Sequence, residues 1–444
     1  MPPGTTLQGG EGWYGGRIGW PESGLIATHS GVRGSPGAEL TDALVSRVVR
    51  AFVKHLRREG LPGTVGLARD EHPVGERLAA LVSATLTAVG ADVLDFGVVS
   101  TPGAKLAARR RGLGGAVVVT GSHLAPDLNG LKLVTAPIYG PLDVRQLSLP
   151  EDEADAVARR GRALHDHTAA AEHVAEIAAA VDADAIRAAA LRVRIEGGAG
   201  SAGARLTEQF GGPPAESHRP DLVMQLDPDG DRLRLFDERG RGLDEEATFP
   251  LAALALDARD VVKGADTSRM IDDLAAARGG SVRVVSPGEL HLVEELTAGG
   301  GEVAGEGNGG VVVPAVGLAR DGLAAGAAIM ELLARTGSTL SELAGRLPRY
   351  ERRRSTVPCA ARRRARAAIE AVAARLENCA GDAEGDGERD PEQGLLVERD
   401  GAWGLVRQSA TEPVLRLTVE GRSRAAVDDL HAELEAVLRE AAPA

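Results

Sequence analysis

The stretch VVVTGSHLAPDLNGLKL, Val117 to Leu133, is an apolar run that empties into a short polar loop and closes on Asn129, Gly130 and Lys132. The apolar periodicity makes Gly114 to Val119 a buried strand. Ser122 then falls just beyond its C-terminal end, the edge at which open α/β sheets present ligands. Asn129-Gly130 reads as a turn that folds Lys132 back toward Ser122. A hydroxyl at such an edge serves as nucleophile or phosphate carrier when a base and a charge stabiliser stand nearby. A strand followed by a plain Asn-Gly turn accounts for the same residues without chemistry.

Strand-like and helix-like runs alternate along most of the chain, the pattern of α/β units with largely parallel sheets. GTVGLARD (Gly63 to Asp70), LRVRIEGGAG (Leu191 to Gly200) and DVVKGADTS (Asp260 to Ser268) each pass from a short apolar strand into a polar or Gly-containing turn before an Ala-rich stretch. They read as the openings of three related α/β domains. Glu76 to Val89 and Leu323 to Leu333 carry apolar residues at three- and four-residue spacing, as helices that cover sheets do. After Tyr350 the texture changes to an arginine-rich segment, a long helix from about Arg364, a charged Gly-rich tract (381–394) and strand-like runs, which read as a smaller α+β domain. The expected division is an N-terminal extension over 1–20, α/β domains over 21–165, 166–245 and 246–348, and an α+β domain over 349–444. The fold class expected is therefore α/β, three related mixed or parallel sheets plus a C-terminal α+β domain, around a central cleft.

Composition narrows the functional classes. The 444 residues exceed one hydrophobic core, and 2% aromatic content leaves Val, Leu, Ile and Ala to build several. A net charge of -13 argues against general affinity for polyanions, so no nucleic-acid partner is expected. Only Lys54, Lys105, Lys132 and Lys263 are lysines. A lysine inside a motif therefore stands out from the background. Two cysteines give no disulfide framework or metal spacing, and neither a signal peptide nor a membrane-length apolar run is present, so a cytoplasmic protein without membrane partners is expected.

Three further loops carry chemistry. LVMQLDPDGDRLRLFDERG (Leu222 to Gly240) places Asp227, Asp229 and Asp231 at alternate positions, followed by Arg232. Carboxylates this close repel unless a cation sits among them, and oxygen-only ligation suits Mg²⁺ or Ca²⁺. A calcium hand would use Glu238 as its twelfth residue, but its sixth position needs glycine and holds Arg232. An Asp-rich solvated turn is the other alternative. In AGEGNGGVVVP (Ala304 to Pro314), Glu306 and Asn308 stand among glycines, a carboxylate and an amide suited to sugar hydroxyls, or a plain Gly-rich turn. In VRQSATEPVLRLTVEG (Val406 to Gly421), Arg407, Ser409, Thr411 and Arg416 supply the forks and hydroxyls that hold a phosphate dianion.

The four loops together resemble the α-D-phosphohexomutases, the superfamily of phosphoglucomutase, phosphomannomutase and phosphoglucosamine mutase. That family shows, in order, a TASHNP-x-x-x-NG-x-K loop, a D-x-D-x-DR loop, a Gly-Glu sugar loop and an R-x-S-x-TEP-x-x-R loop. Here stand TGSHLAPDLNGLKL, DPDGDR, GEGNGG and RQSATEPVLR, and GEGNGG, LPRYERRRSTVPC and LARDGLAAG are similar to the archaeal-type branch. The resemblance implies a phosphoryl group on Ser122, with Mg²⁺ held by Ser122, Asp227, Asp229 and Asp231. It implies that Arg232, His123 and Arg33 steady that centre and that Lys132 transfers a proton. Glu306 and Asn308 would bind the sugar, and Arg407, Ser409, Thr411 and Arg416 the phosphate not being transferred. The implied reaction interconverts hexose 1-phosphate and hexose 6-phosphate of glucose or mannose, with hexose 1,6-bisphosphate as intermediate and activator, in a monomer or homodimer.

Leu124-Ala125 replaces the family's Asn-Pro beside the nucleophile, His72 stands where arginine is usual, and THSGVRG replaces FGTSGIRG while retaining Arg33. The alternatives are a phosphoglucosamine mutase, and a sugar-phosphate-binding protein of impaired turnover on the same fold.

Overall fold

The computed structural model describes residues 25–28, 30–150, 159–198, 200–210, 219–359, 362–375, 394–409 and 414–442, with 362 and 363 as backbone. The chain divides into two compact units, residues 29–348, and residues 349–444 with the first 28. The N-terminal extension, most of the charged tract and Thr411 lie outside the described residues.

In the larger unit the openings at Gly63 and Asp260 supply strands from which their sheets are built, and that at Leu191 supplies an outer strand. Thr64–Arg69 pairs in parallel with Asp92–Val98 on one side and Gly115–Val119 on the other. Gly115–Val119 then pairs antiparallel with Asn129–Thr135, and that strand with Gly31–Gly34. All five residues of Gly115–Val119 are buried, as a strand covered on both faces must be. Helix Asp42–Arg58 covers this sheet with Leu44, Val45, Val48, Val49, Phe52 and Leu56 at helical spacing, and Thr41 caps it by accepting from Leu44 N–H at 3.2 Å.

Asn129-Gly130 is not a turn. Both residues open the strand Asn129–Thr135, with Asn129 opposite Gly34 and Gly130 opposite Arg33, and the reversal occupies the residues between Thr120 and Leu128. Side-chain competition marks Asn-Gly as a turn only where no neighbouring strand claims its backbone. Here one does.

A second sheet holds Val193–Glu196 parallel to Leu222–Leu226, which pairs antiparallel with Leu233–Phe236. The third holds Val261–Gly264 between Val282–Val285 and Val303–Gly305, all parallel, with Val311–Val312 added antiparallel. Helix Gly322–Thr336 buries Leu323, Ile329, Met330 and Leu333 in a core shared by the second and third sheets. Each Asp- or Glu-bearing loop thus connects two antiparallel strands, a short tether that fixes its position.

The smaller unit is an antiparallel sheet in the order Glu351–Pro358, Val414–Gly421, Ala402–Gln408, Leu395–Arg399. Helices Arg362–Arg375 and Arg424–Ala441 pack on it through Val372, Val427, Leu430 and Leu434. This is the α+β domain expected after Tyr350.

Candidate active site

Ser122 is buried in the loop after Gly115–Val119 and takes φ 53°, a left-handed conformation that side-chain-bearing residues rarely adopt. Its N–H donates to Thr120 Oγ1 at 2.8 Å, which holds the turn. Its Oγ lies 3.3 Å from His123 Nδ1 and 3.5 Å from Asp227 Oδ2. His123 lies beside the Ser122 hydroxyl, where partial desolvation of its ring and then the nearby Arg232 charge lower its pKa, so the ring is neutral at neutral pH. His72 Nε2 lies 2.7 Å from the Pro126 carbonyl oxygen and braces the same loop from outside.

The hairpin between Leu222–Leu226 and Leu233–Phe236 brings Asp227, Asp229 and Asp231 together, with one oxygen of each within 4.8 Å of the others. Gly230, at φ 73°, makes this turn possible: a Cβ there would stand 3.0 Å from Ser100 Cβ in a conformation glycine alone adopts readily. Asp229 and Asp231 are completely buried. On each, Oδ2 is engaged: Lys132 Nζ bridges the two, at 2.8 Å from Asp231, and Thr101 Oγ1 donates to Asp229. On each, Oδ1 is buried without a hydrogen-bond partner. Arg232 Nε, at 3.7 Å from Asp231 Oδ1, is too far to supply one, while the Arg232 N–H donates to Asp227 Oδ1 at 3.1 Å.

The electrostatics follow from this crowding. Burial and then the charges of Asp231 and Asp229 push Asp227 well above the usual carboxylate range. Burial also works to raise Asp229 and Asp231, but Lys132, and for Asp231 first Arg320, overcome it and hold both low. Burial pulls Lys132 down, yet its two carboxylates more than compensate and keep the ammonium charged. A cluster of three carboxylates, the half-buried Asp227 driven toward its neutral form and the buried Asp229 and Asp231 each with an oxygen that takes no hydrogen bond, has the donor set of a hard divalent cation. Glu238 is elsewhere, accepting from Ser341 Oγ at 2.5 Å, so the loop is no calcium hand.

Arg33 is buried in the strand beside Gly130, within electrostatic reach of Asp229 and Asp231, and donates to the Ser30 carbonyl at 3.2 Å. Glu306 accepts from Gly288 N–H at 2.8 Å and from Arg320 Nη1 at 2.6 Å. Asn308 Nδ2 donates to Glu306 Oε2 at 3.4 Å, and its Oδ1 accepts from Gly310 N–H at 3.0 Å. The larger unit therefore gathers Ser122, His123, Lys132, Arg33, Arg232, the three aspartates, Glu306 and Asn308. Lys132 faces the aspartates rather than Ser122.

In the smaller unit Arg407 and Arg416 are directly opposed across antiparallel strands, so both stand on one face. Ser409 Oγ accepts from Arg416 Nε at 3.2 Å, and Ser409 N–H donates to the Val414 carbonyl at 2.9 Å. Two guanidinium groups with a hydroxyl on one face suit a dianion. Sequence reasoning missed Thr101 and Arg320, which touch the aspartates from outside the four loops. The one available signal for Arg320 was an arginine directly before the Asp321-Gly322 helix start.

Comparison with known proteins gives a consistent result. Models described as phosphoglucomutase/phosphomannomutase match in three parts: α/β/α domain I over residues 25–138, α/β/α domain III over 246–350 and the C-terminal domain over 357–437. A probable phosphoglucosamine mutase of Methanopyrus kandleri is 30% identical, covering 92% of this chain and 97% of its own. A phosphoglucomutase/phosphomannomutase of Thermococcus kodakarensis is 29% identical, covering 88% and 94%. The crystal structure of a phosphoglucomutase/phosphomannomutase family protein from Burkholderia thailandensis superposes with a TM-score of 0.75 at 23% identity, over 94% of this chain and 98% of that one.

Proposed function

Because the chain belongs to the α-D-phosphohexomutase family, we propose that it interconverts the 1- and 6-phosphates of glucose or mannose through phosphorylated Ser122 and a hexose 1,6-bisphosphate. The observation that carries this reading is the placement of the buried Ser122 hydroxyl 3.5 Å from Asp227, beside two aspartates each with one oxygen that takes no hydrogen bond. Ser122, Asp227, Asp229 and Asp231 would hold Mg²⁺, which when bound supplies the charge that stabilises a transferring phosphoryl group.

The chain's own residues do the rest. The phosphoryl group leaves Ser122 for a sugar hydroxyl, the P–O bond to serine breaking as the P–O bond to sugar forms. The hydroxyl's proton passes to a base, and the departing Ser122 oxygen takes up a proton to become the free hydroxyl. Lys132, whose ammonium bridges Asp229 and Asp231, would be that base in its neutral form. Arg33 and Arg232 place positive charge beside the centre, and neutral His123 accepts from the serine hydroxyl. Glu306 and Asn308 take sugar hydroxyls, Oε1 of Glu306, which accepts only from Gly288 N–H, retaining a lone pair. On the smaller unit, Arg407, Ser409 and Arg416 offer the guanidinium forks and hydroxyl that suit a phosphate dianion. The bisphosphate then reverses, and Ser122 recovers the phosphoryl group from the other position.

The test is incubation with glucose 1,6-bisphosphate and Mg²⁺ followed by peptide mass spectrometry. Phosphate on Ser122, absent from Ser122→Ala and discharged by hexose monophosphate, is the expected outcome. An unmodified Ser122 in folded protein that binds Mg²⁺ would show instead a sugar-phosphate-binding protein, with Leu124-Ala125 beside the nucleophile as its cause. The Methanopyrus relative's name favours glucosamine phosphate as the second substrate to try, and competition between the two sugars decides it.

A further inference from the structure

Two buried side chains with no place in the four loops, Lys105 and Glu289, complete a buried circuit of contacts around the aspartates. Lys105 Nζ donates to Glu289 Oε1 at 2.7 Å. The same Glu289 oxygen accepts the Arg320 backbone N–H at 3.0 Å, which fixes the main chain from which the guanidinium extends. Arg320 then divides its guanidinium, Nη1 donating to Glu306 at 2.6 Å and Nη2 to Asp231 at 2.7 Å. Lys132 joins Asp231 to Asp229, and Thr101 donates to Asp229. Thr101 and Lys105 stand four residues apart on helix Thr101–Arg110, on one face, so the circuit begins and ends on a single turn.

The circuit is dry, every charged member being at least nine-tenths buried. A lysine there costs solvation: burial lowers Lys105 before Glu289 offsets it. In a chain with four lysines, that expense has an evident return. Donors saturate Oδ2 of Asp229 and Asp231, which fixes the rotation of each carboxylate and leaves Oδ1 turned away from them. One planar guanidinium sets both Asp231 and Glu306, and a rigid fork holds its two acceptors at a fixed separation. Gly310 makes room for it, since a Cβ there would stand 2.5 Å from Arg320 Cδ.

We propose that Lys105 and Glu289 are positioning residues that lock Arg320, and that Arg320 through its two arms sets the cation-binding carboxylate Asp231 and the sugar-binding carboxylate Glu306 together. The inference rests on the reading of the aspartates as a cation site and of Glu306 as a sugar group. Its consequence is that perturbing the circuit weakens cation and sugar binding at once, although neither Lys105 nor Glu289 touches either ligand.

The experiment measures the Mn²⁺ dissociation constant by electron paramagnetic resonance, and KM for hexose phosphate, in the full chain. Arg320→Lys keeps a charge but loses the fork. Lys105→Met/Glu289→Leu removes a charge pair without leaving a buried ion, so it can fold where a single variant fails. Losing the groups that orient a metal ligand costs on the order of 10- to 100-fold in metal affinity. Both variants are expected to weaken Mn²⁺ binding by that factor and to raise KM alongside it, while Lys105→Arg stays near wild type. A folded double variant with wild-type Mn²⁺ affinity, or one in which only one of the two constants moves, overturns the proposal. Wild-type protein and Asp229→Asn binding Mn²⁺ equally would overturn the cation reading itself, a failure distinguishable because it shows before any circuit variant is made.

Discussion

At the scale of single residues, Gly130 shows how a familiar dipeptide misleads. Asn-Gly ordinarily spells a turn, yet a Cβ at Gly130 would stand 2.0 Å from the Val32 carbonyl oxygen and 2.6 Å from Arg33 Cγ. The glycine is there to let the strand carrying Arg33 come close. Gly130→Ala must move backbone rather than a side-chain tip, and an overpacked site of this kind costs about 1–3 kcal/mol. The expected result is a lower urea midpoint at unchanged slope, the unfolding free energy falling by that amount. The aspartate cluster was legible because three aspartates stand at alternate positions, where their charges repel and so ask for a cation. Thr101, Lys105, Glu289 and Arg320 were not, because each is an isolated residue whose partners lie far along the chain, joined only once three sheets are built.

At the scale of elements, the helix Gly322–Thr336 is held by its first residue's neighbour twice over. Asp321 Oδ1 accepts from Ala324 N–H at 3.0 Å as an N-cap, and its Oδ2 lies 2.6 Å from His173 Nε2 on helix Ala169–Ala179. His173 is buried, and its other ring nitrogen has no partner. Asp321→Ala therefore removes a cap, worth about 0.5–2 kcal/mol, and in addition leaves a buried imidazole with no hydrogen bond. Denaturant unfolding is expected to show a loss above the range for a cap alone, and Asp321→Asn, which still accepts from Ala324, a smaller one. The strands were readable from apolar runs followed by polar turns, and the helices from their three- and four-residue spacing. What spacing could not convey was pairing direction: Asn129–Thr135 and Val311–Val312 run antiparallel within otherwise parallel sheets, and both serve to return a functional loop to the strand that launched it.

At the scale of the whole molecule, charge is distributed unevenly. The chain carries 64 acidic and 51 basic residues, yet Arg33, Lys132, Arg232 and Arg320 converge on three aspartates in one buried region. The cations there are matched by carboxylates, so that region's own charge is nearly balanced inside a chain whose acidic field discourages long polyanions. The same economy leaves a practical signature. Lys105, Lys132 and Lys263 are buried, and Lys54 is exposed. Amine-directed acylation of the native protein is therefore expected to mark Lys54 first among the lysines, while Lys105, Lys132 and Lys263 become reactive only when their surroundings open. Intact mass after brief labelling, with and without denaturant, checks this. Since Lys105 and Lys132 stand at two points of the buried circuit, the rate at which each acquires a tag is a clock for the opening of that interior. Lys54, tagged from the outset, is a single attachment point for a dye or a surface that leaves that interior untouched.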